Sequence, residues 1–302
     1  MVAVVLLTPA ISFVVMGALY DGTTLWTKAT QLPEYARLVL LHFDFGYIGP
    51  VTQPESISHF VLSGVAVDGA LLAGGLVVGT ATGLVTGTIA GARRRSAADR
   101  ALALGSAAAM SVPVYWLGFM ALIAFAPSFG GLQIPFFTTM GEYRPITHDP
   151  LAWLRSLWVP WVVLGIPLAA MCHRMTRAAL AEVLDDDLLR TARAKGLHER
   201  RVLFRHALPA ALPPVLGLIS VNVALLVTNV IVIELPFDLP GAFRAANVGQ
   251  FLYGDNGPNV SFAIVQALVV EAAILIAATM LVCDLLHAAL DPRVAGRALA
   301  GS

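Results

Sequence analysis

The chain has 302 residues, of which 58% are apolar and 13% charged, and its mean hydropathy is +0.78. Soluble domains carry about a quarter charged residues, and half that density cannot clothe a water-soluble globule of this size. The 19 basic residues balance the 19 acidic ones, which excludes a general attraction to nucleic acid, and the hydrophobicity excludes a disordered chain.

A bilayer core about 30 Å thick takes about 20 mostly apolar helical residues to cross. Six stretches meet that requirement: Val2–Tyr20, Val65–Ala90, Ala101–Ala126, Leu157–Cys172, Pro213–Ile233 and Ser261–His287. The first lacks the basic leader of a signal peptide and reads as a retained helix. In the loop 21–64, Tyr35, Leu38, Val39 and His42 fall at helical spacing and predict a short surface helix over Leu32–Phe43. The second span carries Gly75, Gly79, Gly83, Gly87 and Gly91 at four-residue intervals, near one face of a helix. Such a groove admits a second backbone. Packing within the subunit is the preferred reading, and a subunit interface or sliding surface is the other. Pro160 and Pro167 predict a short, kinked fourth span. Asn222, Asn229 and Glu271 lie in or near the last two spans, where polar groups are costly and point to a functional path or to helix pairing.

The basic residues fix an expected orientation. Fourteen of nineteen lie in 91–100, 173–212 and the tail after His287, so these segments and both termini are expected on the cytoplasmic side. On this plan the zero net charge divides into an inner excess of +6 and an outer excess of −6. Nothing between the spans is long enough for a separate soluble domain, so 1–302 read as a single domain with an outer loop at 21–64. Cys172 and Cys283 are too few for a disulfide framework, and the seven histidines form no metal-binding pair. Neither lysine, Lys28 or Lys195, follows a glycine, so the chain has no Walker A loop to hold ATP.

The segment 173–212 is the most informative. Ala178–Val183 is rich in helix formers, and Asp185, Asp186 and Asp187 break it and cap a new helix, Leu188–Lys195, that Gly196 terminates. A second piece, Glu199–Leu208, runs to Pro209. Two short helices around a glycine turn, basic on one side, form a knob suited to docking; the plainer reading is a solvated loop that only sets topology.

This stretch resembles the signature loop of binding-protein-dependent ABC transporter permeases, E-A-A, three residues, Gly, nine residues, I-x-L-P. Gly196 takes the glycine and Leu208-Pro209 the L-P, while His206 replaces isoleucine and Arg190-Thr191-Ala192 stands where E-A-A is usual. The run from Arg190 to Leu197 is similar to the peptide/nickel (dipeptide and oligopeptide) branch. Glu234, Phe237, Pro240 and Gly241 match that branch's E-x-x-F-x-x-P-G. Ser111, Pro113, Trp116 and Gly118 match its S-x-P-x-x-W-L-G, and Leu290 to Arg293 its L-D-P-R. The resemblance is greatest to the first permease of such systems and weakest in the outer loops.

The resemblance implies an all-α polytopic membrane protein of type I importer architecture, with six transmembrane helices and no enzymatic activity of its own. It implies half of a translocation path for peptides or a related small solute, completed by a second homologous permease in the lipid bilayer. Two ABC ATPase subunits would bind ATP and magnesium, this chain holding no cofactor, and an extracytoplasmic substrate-binding protein would deliver cargo. The ATPase-coupling element would be Glu182 through Pro209: Glu182, Asp187, Arg190, Ala192, Arg193, Ala194, Gly196, Arg201, Leu208 and Pro209. The competing reading is an ion-gradient-driven secondary transporter titrating Glu271. A membrane enzyme is third, with no serine–histidine or paired-carboxylate constellation to support it.

Overall fold

The computed structural model describes residues 2–48, 55–126, 143–247, 253–254, 257–258 and 262–290. Apart from two two-residue antiparallel pairs, Tyr47–Ile48 with Glu55–Ser56 and Tyr253–Gly254 with Gly257–Pro258, the regular structure there is helical. In chain order the helices are α1 (Val2–Asp21), α2 (Leu25–Ala36), α3 (Ile57–Ala92), α4 (Ala97–Ser111), α5 (Val114–Phe125) and α6 (Pro150–Leu184). They continue as α7 (Asp187–Ala194), α8 (Glu199–Val202), α9 (Leu208–Phe237), α10 (Ala242–Asn247) and α11 (Phe262–Leu290). π-helical turns extend α2 over Arg37–Leu41 and join α8 to α9 over Leu203–Ala207.

Among the described residues four continuous helices are long and apolar enough to cross a membrane: α3, α6, Glu199–Phe237 and α11. The expected third span is not one rod. Val112 and Pro113 are extended, and α4 and α5 meet at a bend of 103°. A proline disfavours helical backbone in the residue before it, so an apolar run alone did not reveal the break. The fourth span is longer than expected. Polar residues from Arg155 to Ser156 and from His173 onward end the apolar run but not the helix, which continues for 35 residues with Pro160 and Pro167 inside it. The outer surface helix expected over Leu32–Phe43 begins earlier, at Leu25, where the Thr24 side chain accepts a hydrogen bond from the Thr27 N–H. The L-D-P-R residues after Leu290 lie outside the described residues.

The column at the centre is α3 against α6. Cβ atoms added to Gly75, Gly79, Gly83, Gly87 and Gly91 would meet Leu164, Leu168, Cys172, Thr176 and Leu180 in turn, so the two helices share a four-residue period along their contact. At Gly79 the added atom would lie 2.8 Å from the Gly165 carbonyl oxygen, and at Gly87 2.8 Å from that of His173. Backbone therefore faces backbone, and the attraction is close van der Waals packing, the main force left between helices in lipid. Gly74 leaves room for the Trp161 indole, whose Nε1–H donates to the Ala70 carbonyl at 2.9 Å. α9 closes the other side of α6 through Val215, Ile219, Val223, Leu226 and Val230, all buried. Cys172 and Cys283 are buried free thiols.

Gly83→Val inserts a branched side chain where Cys172 and the Ala169 carbonyl already stand, and overpacking of that kind costs about 1–3 kcal/mol. Gly69 has open space around its Cα and serves as the control. Thermal unfolding in detergent should show a lowered midpoint for Gly83→Val and little change for Gly69→Val. Equal midpoints would contradict the close-packed column.

Candidate functional site

The first cluster of sequence-selected residues forms one knob at the end of α6. α6 runs to Leu184, with Asp185 as its C-cap, and α7 starts two residues later, where the Asp186 carbonyl accepts from the Leu189 and Arg190 N–H groups. Gly196 adopts φ +77°, a left-handed backbone that side-chain-bearing residues enter at a cost. His198 then caps α8, its Nδ1 accepting from the Arg200 N–H at 3.2 Å. The knob is seated on apolar packing: Leu180, Leu189, Val202, Ala207 and Ala211 are buried together beneath it, with Ala192 and Leu197 packed alongside.

Polar contacts brace the turn from outside. Arg193 grips Glu199 with two hydrogen bonds, 3.0 and 3.2 Å, and reaches the Leu184 carbonyl at 3.3 Å. The Arg193 guanidinium holds the Glu199 carboxyl below its usual range. Arg190 pairs with Asp187 at 3.1 Å, and Arg94 ties Asp185 to the loop after α3 at 3.0 Å. Arg177 binds Asp99 at 2.5 Å, and with the Arg95 N–H it holds that carboxyl down at about 2. Glu182, Ala194, Gly196, Arg201 and Pro209 are exposed, whereas Ala192 and Leu208 are half-buried. An open groove of about 500 Å³ lies beside α7, lined by Asp186, Leu189, Ala192, Lys195, Arg205 and His206.

The expected helix Glu199–Leu208 is not uniform. The Leu208 N–H bonds the Leu203 carbonyl in a wide i+5 turn. Pro209 has no N–H for the Arg205 carbonyl, and a π-turn absorbs the mismatch. Pro209 therefore stands in the first turn of α9 and does not terminate a separate helix.

The second cluster lies far along the chain from the knob, at the opposite end of α9. Glu234 is fully buried, Phe237 is 4% exposed, Pro240 is exposed and Gly241 is buried. α9 ends through Asp238 in a left-handed conformation, so the chain turns back into α10. The first turn of α10 is capped by side chains from other helices. The Ala242 N–H donates to Asp68 of α3 at 2.9 Å, and the Arg244 N–H donates to Glu234 at 2.6 Å. A Cβ on Gly241 would strike Asp68 Oδ1 and the Glu234 carboxyl, so only glycine fits between them. Glu271 of α11 completes the group beside Asp68. Sequence reasoning named Glu234 and Glu271 but missed Asp68. An acidic residue inside an apolar span was the available signal. Among the described residues no group of three or more His, Cys, Asp or Glu is placed to hold a metal ion.

Arg193→Ala removes the brace but leaves the apolar seat. For so exposed a pair the expected stability loss is below about 1 kcal/mol. Limited trypsin digestion should nevertheless cleave faster at Lys195 and Arg200, with the midpoint of unfolding nearly unchanged. Unaltered cleavage would show that the pair does not hold the turn.

The family described as binding-protein-dependent transport system inner membrane component matches residues 83–296, a range that includes the knob and the segment from Glu234 to Gly241. A peptide transport system permease protein of Brucella abortus is 34% identical over 255 residues, covering 84% of this chain and 76% of its own. The di/tripeptide transport system permease protein DppB of Pseudomonas aeruginosa is 34% identical over 238 residues, covering 74% and 68%. The dipeptide transport system permease protein DppB of Haemophilus influenzae is 29% identical over 264 residues, covering 83% and 77%. Among solved structures, a chain of the inward-facing MetNI methionine ABC transporter superposes with a TM-score of 0.56 at 18% identity, covering 77% of this chain and 96% of its own. That last likeness is one of fold.

Proposed function

The chain belongs to the binding-protein-dependent transport system inner membrane components, the permeases of ABC importers, and from that premise we propose that it forms half of a translocation path for peptides. A second permease completes the path in a cell membrane, an extracytoplasmic binding protein delivers the cargo, and two ATPase subunits bind the cytoplasmic face. The relatives named for di- and tripeptide transport support the substrate class. α1 and the bent pair α4–α5 bring the four long helices to six spans, with both termini on the side of the knob. No finding favours an ion-gradient-driven transporter; the relatives are ABC transport permeases.

The observation that carries the coupling role is the construction of the knob. α7 is short, exposed on its polar face and fixed on its apolar face by Leu189 to the ends of α6 and α9. A push on α7 is therefore transmitted as movement of two spanning helices, because close-packed elements shift as units. Arg190, Arg193 and Arg201 supply the polar contacts to the ATPase, and Gly196 sets the angle between α7 and α8. Side-chain crowding plays no part at Gly196, since no atom lies within 4 Å of an added Cβ.

Gly196→Val forces a branched residue into left-handed backbone at a cost of about 1–2 kcal/mol. In reconstituted vesicles with the ATPase and binding-protein partners, transport and substrate-stimulated ATP hydrolysis should fall about tenfold, since about 1.4 kcal/mol borne in the coupled state is a factor of ten in rate. Membrane insertion should persist, and Gly196→Asn, which tolerates this backbone, should retain most activity. Normal coupled hydrolysis in Gly196→Val would remove the proposed role.

A further inference from the structure

Asp68, Glu234 and Glu271 come from three different helices and are 0%, 0% and 2% exposed. Two of their six oxygens accept backbone N–H groups of α10, as described above. Asp68 Oδ1, Glu234 Oε1 and both oxygens of Glu271 have no hydrogen-bond partner among the described residues. Glu234 is faced by Asp68, by Glu271 and by the backbone N–H of Arg244, and Glu271 is faced by Asp68. Arg244, the basic residue of α10, sends its guanidinium to Asp238 and not into the cluster. Nearby on α11, Gln266 is neutral and engaged with Tyr35 and Ser12. No basic side chain of α6, packed across α3, faces Glu234 or Glu271 among the described residues.

Three ionised carboxylates cannot be held at such close quarters, buried and with two donors between them. Like charges repel strongly at low dielectric, and unpaired buried charge is costly. A protonated carboxyl removes the repulsion and supplies an O–H donor for a neighbouring orphaned oxygen. We infer that Glu234 and Glu271 hold protons against Asp68 in a latch that fastens α10 onto α3, α9 and α11, and that ionisation of these two carboxyls releases α10. The protons are held at the latch and drive no transport. Gly241 permits the arrangement, because its missing side chain lets Asp68 and Glu234 reach the first turn of α10 together. Ala242 at that turn is 1% exposed, so its accessibility reports whether the latch is closed.

The test uses the full chain carrying Ala242→Cys, in membrane fragments open to a polar maleimide on both sides. The two natural thiols are buried and contribute little background. Labelling rates are divided by those of Trp26→Cys, a 78% exposed position, to remove the pH dependence of thiol chemistry. From neutral pH upward through the alkaline range the normalised rate should rise about tenfold or more as the cluster loses protons. Asp68→Asn with Glu271→Gln supplies amide donors that cannot ionise, and should label slowly at every pH. A flat profile in the parent, or an undiminished rise in the double variant, would overturn the latch. The parent profile decides alone if the double variant does not accumulate. Labelling at α10 reads the latch whatever the chain transports, so its failure leaves the permease reading standing.

Discussion

For roughly 24 Å, the length of sixteen helical residues, α3 and α6 lie closer than any side chain on the α3 face would permit. The five glycines from Gly75 to Gly91 make that approach, and Leu164, Leu168, Cys172, Thr176 and Leu180 fill it from the other side. In a bilayer the lipid tails satisfy apolar side chains as well as a protein core does. Shape complementarity is what holds helices together there. The rest of the bundle is built on this column. α9 packs on the free side of α6, α4 leans on its knob end, and α11 crosses α3 and α9.

A rigid column has two ends, and each carries one of the clusters. At one end α6 projects past its apolar run, and the knob formed by α7 and α8 sits on that projection. At the other, Asp68 of α3 and Glu234 of α9 grip the first turn of α10. α9 runs between the two, with Ala211 under the knob and Glu234 in the carboxyl cluster. A displacement of α7 thus has a direct mechanical route to the far end of the molecule along one helix. The two ends differ in chemistry. The knob is exposed, basic and braced by ion pairs that water screens, whereas the carboxyl cluster is sealed and acidic, so its electrostatics are unscreened.

Much of this was legible in the chain. The apolar runs located the long helices, and the four-residue glycine period implied close packing, because both depend on local composition. The helix–glycine–helix order of the knob was legible for the same reason, with α7 displaced by one residue from the expected Leu188–Lys195. Helix ends were not, since helices such as α6 outlast the apolar run that betrays them. The bend at Val112–Pro113 was hidden because hydropathy registers what a helix is made of and not its direction. Asp68 escaped notice because its role depends on Ala242, 174 residues away, a contact that no spacing encodes. The π-turn before α9 likewise follows from how α8 and α9 join, not from any residue preference.

The central claim is that α7 is where force from ATP hydrolysis enters the membrane, and contact is its most direct test. A photo-activatable cross-linker placed at Arg190, on the exposed face of α7, should capture an ABC ATPase subunit when the assembly is purified from native membranes. The same probe at Val77, 65% exposed on α3 within the apolar span, should capture none. An ATPase caught from position 190 alone is the predicted result. An assembly purified with no ATPase, or one cross-linked equally from both positions, would contradict it.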